Sequence, residues 1–231
     1  MKVLVTGATR GIGQSIAYQF HWQGHEVHGT GTPGTDRPDY LDHYYQADFT
    51  DPDQIESLAH LVSDLDLDVL INNAGINRIR PFLDITPEDW HDQHLVNVYA
   101  PYRLSQAVLP TMIKNGSGHV VNIASVWSKI SKTGRAAYSA NKFALEGMTK
   151  ALAAEFSGSN VRINCVSPGF IDTELTRKNL GEAGVKQILE RVPMNRLGAA
   201  ADIAEYVYWL CTKNSYITGQ NIVIDGGFTS A

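Results

Sequence analysis

Tyr138 and Lys142 stand four residues apart in the stretch Tyr138-Ser139-Ala140-Asn141-Lys142. In a helix that spacing puts both side chains on one face, about 6 Å apart along the axis. Such a pair is common on protein surfaces and means little alone. Thirteen residues earlier, Ser125 follows the apolar run 119–124, at the kind of strand end where open α/β sheets place ligands. A phenol titrates near pH 10 and is a poor base at neutrality. A nearby ammonium favours the phenolate. Tyr138 is therefore a candidate to exchange a proton with a substrate oxygen. Ser125 is a candidate to hold the same oxygen by a hydrogen bond.

A dinucleotide site is signalled at the other end of the chain. Thr6-Gly7-Ala8-Thr9-Arg10-Gly11-Ile12-Gly13 follows a first apolar run and opens a helix-period segment. Gly7 permits a sharp turn out of the strand, Gly11 lets the backbone approach a pyrophosphate, and Gly13 allows close helix packing. The helix N-terminal amides then face the anion. The spacing is TGxxxGxG; its position between strand and helix raises it above an ordinary glycine-rich turn. An oxidised nicotinamide bound there would add positive charge near Tyr138, so the proton exchange could accompany hydride transfer to or from that ring.

The elements that must position these groups alternate along the whole chain. Strands are expected at 2–6, 26–30, 69–72, 119–124, 161–167 and 221–224. Helices are expected at about 12–23, 52–64, 88–113, 137–156, 174–190 and 200–212. Thr86 and Pro87 mark a helix start, as N-cap and first-turn residue. The alternation implies right-handed crossovers and an α/β fold, a Rossmann-type doubly wound parallel β-sheet with helices on both faces. The 231 residues fit a single domain, 1–231, without repeat or linker. The stretch 29–38 reads as a surface loop.

Composition narrows the function classes. The net charge of −5 argues against nucleic acid as a partner. No stretch approaches the ~20 apolar residues of a membrane span, and the N-terminal residues lack a signal-peptide core, so a cytoplasmic location is expected. Cys165 and Cys211 are too few and too distant for a disulfide framework, and Cys165 reads as a buried, inert thiol. The eight histidines are scattered and no metal site is expected.

TGATRGIG, Asn72-Asn73-Ala74-Gly75, Ser125, the YSANK segment and Pro168-Gly169 together resemble the short-chain dehydrogenase/reductase family, with motif order and spacing matching from Lys2 to the terminal IDGG. The resemblance implies further roles. Asn97 joins the catalytic set by keeping a water-linked proton path with Lys142, and Lys142 also binds the nicotinamide ribose. Asp48, followed by Phe49, meets the adenine. Asn73, Ala74 and Gly75 line the cofactor, while Pro168, Gly169, Ile171 and Thr173 flank the nicotinamide. Asn72 reads as strand-end support. The segment 172–193 is expected to close over substrate. Relatives are commonly homotetramers, or failing that dimers.

The second strand runs into Gly29-Thr30-Gly31-Thr32 without a carboxylate to hold a ribose 2′-hydroxyl, and Asp36 lies too far along. Arg10 sits where relatives that use NADP carry a basic residue. NADP(H) is therefore favoured over NAD(H). Within the family the chain is most similar to 3-oxoacyl-acyl-carrier-protein reductases, implying a small-molecule or acyl-thioester substrate. Where those reductases present basic residues to an acidic carrier, this chain has Gly116 and Ser159, which weakens charge-driven docking. Lys114, Lys129, Lys132 and Arg135 are the nearby cations that could compensate. Arg78 and Arg80 could meet an anionic substrate group, and Trp127 could wall the pocket. A sugar, polyol or nucleotide-sugar intermediate is the rival substrate, and a non-catalytic cofactor-binding protein the rival class.

Overall fold

The computed structural model describes residues 1–230. Seven strands form one parallel sheet in the order β3-β2-β1-β4-β5-β6-β7. They are β1 (Lys2–Val5), β2 (Glu26–Gly31), β3 (His43–Gln46), β4 (Val69–Asn72), β5 (Gly118–Ile123), β6 (Val161–Pro168) and β7 (Asn221–Ile224). The helices are α1 (Gly11–Trp22), α2 (Pro52–Ser63), α3 (Pro87–His94), α4 (Ala100–Asn115), α5 (Ala136–Phe156), α6 (Glu174–Leu189) and α7 (Ala200–Thr212). Strand order reverses between β1 and β4, and the crevice at such a switch point is where open parallel sheets bind ligands.

The central strands are apolar throughout because both faces are covered. Val3 and Val5 pack on one side with Val69, Ile71, Ile16, Phe20, Ile203 and Val207, under α1 and α7. Leu4 points to the other side with Leu70, Ile55, Leu104 and Met112, under α2 and α4. The fold is the expected single-domain, doubly wound α/β sandwich.

Four local expectations are corrected. The seventh strand, β3, was hidden because it is an edge strand whose residues stay partly exposed, so HYYQ shows no apolar run. Ser125 does not directly end a strand: β5 stops at Ile123, and Ser125 sits two residues beyond, in extended backbone. The helix expected at 88–113 is two helices joined by a π-helical turn, Leu95–Tyr99, which carries Asn97. The helix expected at 174–190 is broken at Gly181, whose φ of 62° and ψ of 177° belong to a conformation almost reserved for glycine.

Candidate active site

The glycine loop is built around contacts that exclude side chains. Gly7 has φ +64°, and its N–H donates to Thr30 Oγ1 at 3.0 Å. A Cβ on Gly13 would lie 2.2 Å from Gly7 O and 2.3 Å from Asn73 Nδ2. Gly13 therefore lets α1 press against the loop and the end of β4. Asn73 Nδ2 donates to Thr6 O (2.9 Å) and Gly7 O (3.2 Å), while Thr6 Oγ1 accepts from Asn73 and Ala74 N–H. Asn73 is thus a brace of the loop as well as part of its wall. No side chain caps α1, which leaves its first-turn amides to an external anion. Asn72 is structural: its Nδ2 donates to Asn122 Oδ1 at 2.8 Å.

A cavity of about 330 Å³ runs from this loop across the C-terminal ends of the strands. Gly7, Thr9, Arg10, Gly11, Ile12, Thr30, Asp48, Phe49, Asn73, Ala74 and Gly75 line one part. Ser125, Tyr138, Lys142, Pro168, Gly169, Ile171 and Thr173 line the rest. Of the residues singled out from the sequence, Gly13 and Asn97 stand behind the wall. Such a cavity, with its unpartnered helix terminus and glycine floor, fits a dinucleotide.

Ser125, Tyr138 and Lys142 meet at one end. Lys142 is 3% exposed, donates to Ile123 O at 2.8 Å, and lies 5.6 Å from the centre of the Tyr138 ring. Burial lowers the Lys142 ammonium to about 8. Burial raises the Tyr138 phenol, with the Ser125 hydroxyl and the Arg135 charge pulling against it. Without the charge of an oxidised nicotinamide, desolvation outweighs the neighbouring groups at Tyr138.

Asn97 is fully buried in the π-helical turn, and its side chain is engaged at both ends. Its Oδ1 accepts from Ile76 N (3.0 Å) and its Nδ2 donates to Ile76 O (2.9 Å). A Cβ on Gly75 would lie 3.0 Å from Asn97 Oδ1 and 3.7 Å from Lys142 Nζ. The turn thus brings Asn97 beside Lys142 and fixes the loop after β4, a use typical of π-bulges.

The Lys142 environment predicts a stability effect. Its folded pKa lies below the unfolded value of 10.5, so the unfolded chain holds more protons between about pH 8 and 10.5, and stability rises with pH across that window. Lys142→Met should therefore be more stable than the wild type at pH 7, by about 2–3 kcal/mol. That advantage should fade by about pH 10, as denaturant melts at the two pH values would show.

Several expected placements change. Arg78 and Arg80 are not free for a substrate anion. Arg78 pairs with Asp89 (2.8 Å) and Asp92 (2.7 Å), and Arg80 with Asp89 (2.6 Å). Both acids lie on α3, across the loop. Trp127 is both pocket wall and core: it lines the cavity and meets Phe170 and Phe228 edge-on. The sequence reading missed Asn77, Phe170 and Leu180 on the cavity wall and did not place Arg135 there. Arg135 had a signal, standing three residues before Tyr138 on the same helical face.

The expectation of no metal-ligand grouping also missed a cluster. Glu26, His28 and His43 bring donor atoms within 4.8 Å of one another, because the overlooked β3 lies beside β2. There His28 Nε2 lies 3.0 Å from Glu26 Oε1, at the end of β2 remote from the cavity. Cys165 is buried beside Thr149, with its thiol pushed up to about 11, as an inert core thiol should be.

Comparison with known proteins shows the family of the chain. A family model described as Enoyl-(Acyl carrier protein) reductase matches residues 7–229. The 3-oxoacyl-[acyl-carrier-protein] reductase of Thermotoga maritima is 36% identical, over 97% of this chain and 96% of its own. The chain belongs to the short-chain dehydrogenase/reductase family. Solved members superpose closely. A structure assigned as an NAD(P)-dependent gluconate 5-dehydrogenase from Beutenbergia cavernae, with NADP bound at low occupancy, has a TM-score of 0.91 at 30% identity, covering 100% of this chain and 97% of its own. A 4-hydroxyisoleucine dehydrogenase complexed with NADH has a TM-score of 0.92 at 32% identity, covering 100% and 99%. As a short-chain dehydrogenase/reductase the chain is an oxidoreductase by family. Among its described residues no helix is long and apolar enough to cross a membrane.

Proposed function

We propose that this chain interconverts a ketone and a secondary alcohol using NADP(H), with a 3-oxoacyl thioester as the first substrate to test. The observation that carries the reading is the meeting of Ser125, Tyr138 and Lys142 at one end of a cavity whose other end is a glycine-floored helix N-terminus. The nicotinamide supplies or accepts the hydride. Tyr138 gives its proton to the carbonyl oxygen in reduction, and burial keeps that proton in place until the oxygen becomes basic. Ser125 holds the same oxygen. Lys142 and Asn97 support proton resupply, and Asp48 and Phe49 receive the adenine end. The segment 172–193 acts as a lid hinged at Gly181, with Leu180 and Thr176 on the cavity wall.

NADP(H) is favoured because Thr30, Gly31 and Thr32 line the ribose end without a carboxylate, and Arg10 lies beside them. Asp36 is exposed and off the cavity wall. Arg10→Ala is expected to raise KM for NADPH about tenfold and to change KM for NADH little, since one charge-assisted phosphate contact is lost. Steady-state kinetics with both cofactors checks this. A wild type that strongly prefers NADH would refute it.

The similarity to 3-oxoacyl-[acyl-carrier-protein] reductases favours the thioester. Against carrier docking, Gly116 is exposed and its carbonyl accepts from Asn160 Nδ2 at 2.8 Å, so position 116 itself offers no cation. NADPH oxidation with 3-oxoacyl thioesters, with and without carrier protein, and with keto-sugars tests the choice. Faster turnover of the carrier-linked form would show that Gly116 and Ser159 do not matter. A sugar-acid or polyol substrate remains the second reading, favoured by the likeness to the gluconate 5-dehydrogenase structure. For assembly, Phe143 on α5 and Tyr102 on α4 are 47% and 42% exposed. Those apolar faces fit a homotetramer or dimer, and sedimentation showing a monomer at micromolar concentration would count against it.

A further inference from the structure

The Ser125–Tyr138 end of the cavity holds a cation that no acid neutralises. Arg135 immediately precedes α5, lines the cavity and is only 4% exposed. Its Nε and Nη1 are buried without a hydrogen-bond partner. Among the described residues no carboxylate pairs with it. Its guanidinium lies 5.4 Å from the centre of the Trp127 ring, with Lys132 Nζ 5.5 Å from the same ring. Lys132 likewise has no acid partner among the described residues. Several other cations near the site are engaged, Lys129 by Glu146, Arg78 and Arg80 by Asp89 and Asp92, and Lys142 by Ile123 O, while Arg191 lies over the Phe228 ring at 5.2 Å.

Nothing in the fold rewards this arrangement. A buried guanidinium without a counter-ion costs more than one cation–π contact returns. A positive charge at a helix N-terminus also opposes the helix dipole. A guanidinium with unpaired donors beside the Tyr138 phenol is instead an arrangement suited to recognise a carboxylate. Because Arg135 and Tyr138 sit three residues apart on one helix face, the anion and the reacting oxygen must be close in the ligand as well. The phosphate of a carrier-linked thioester is many bonds from its ketone and does not meet that requirement.

We propose that Arg135 is the anion-binding residue of the substrate end of this cavity, and that the enzyme accepts a keto or hydroxy acid whose carboxylate lies within a few atoms of the reacting carbon. Lys132 adds to the positive field at the same mouth. The inference rests on the carbonyl reading of Ser125, Tyr138 and Lys142 and narrows its substrate class.

The test compares acetoacetate with its neutral ester, methyl acetoacetate, using NADPH. Wild-type kcat/KM should favour the acid about tenfold or more, and Arg135→Met should lower that ratio at least about tenfold, with Arg135→Lys intermediate. Taking the ratio cancels any general loss of activity. A wild type that prefers the ester, or a ratio unchanged in Arg135→Met, overturns the proposal. Calorimetry of malonate binding to the enzyme with NADP⁺ decides the matter if neither ketone turns over. Binding weakened about tenfold or more in Arg135→Met supports the proposal; no binding at about 10 mM, or binding the variant leaves unchanged, overturns it. Failure of the carbonyl reading is distinguishable, because it shows as undiminished turnover in Tyr138→Phe and leaves the malonate result standing.

Discussion

Tyr138→Phe is expected to lower kcat about a thousandfold, within the range lost when a general acid is removed, while cofactor affinity changes little. The substitution removes one oxygen and keeps the ring. The packing of that ring against the Val126–Trp127–Phe228 cluster and the Lys142 contact at 5.6 Å both survive it. What disappears is the proton that the reacting oxygen needs. Direction matters as well. Burial holds the phenol above its usual value, which keeps its proton available for reduction to higher pH and leaves little phenolate to act as base in oxidation. Alcohol oxidation by the wild type should therefore rise as pH increases, and ketone reduction should fall at high pH. Single-turnover rates with bound cofactor, measured in both directions, check the two claims. Turnover unaffected by the loss of the hydroxyl would remove Tyr138 from the chemistry.

Gly13→Ala should have a comparable effect by a wholly different route. The added methyl would sit 2.2 Å from Gly7 O and 2.3 Å from Asn73 Nδ2, far inside contact distance. Neither neighbour can yield cheaply. Gly7 is held in a left-handed conformation by its bond to Thr30, and the Asn73 amide spans Thr6 O and Gly7 O. Overpacking at a site of this kind costs about 1–3 kcal/mol, or about 2–10 °C in melting temperature for a chain of this size. The larger consequence is at the helix terminus, whose amides would be displaced from the anion they face. Cofactor affinity should fall more than about a hundredfold, as nicotinamide fluorescence titration would report. Wild-type affinity in the variant would mean that the loop does not hold the dinucleotide.

These two residues show why so much was legible in the linear chain. Tyr138 and Lys142 depend on one another through a helical repeat, and Gly7, Gly11 and Gly13 through a single strand–turn–helix. Short-range geometry is encoded in spacing. The parallel sheet was legible for a related reason: strands buried on both faces must be apolar throughout, as Val69–Asn72 is. The edge strand His43–Gln46 escaped notice because only one side of it is covered and its residues answer to solvent.

The substrate end was legible only in part, and the arginines explain why. Arg78, Arg80 and Arg135 are the same residue type, each close in sequence to a motif. Whether a cation is free depends on which carboxylates the fold brings to it. Asp89 and Asp92 come from a helix on the far side of a loop and neutralise the first two. No acid among the described residues is delivered to Arg135, which instead lines the cavity with its guanidinium over the Trp127 ring. The amino-acid sequence by itself determined that Ser125, Tyr138 and Lys142 would line one cavity, because spacing along one helix and position shortly after one strand suffice to bring them together. Only the tertiary structure decided that burial lowers the Lys142 ammonium and raises the Tyr138 phenol, and that Arg135 lines the cavity with no acid partner among the described residues. Burial and counter-charge are properties of what packs around a residue, and packing is set by segments far away in the chain.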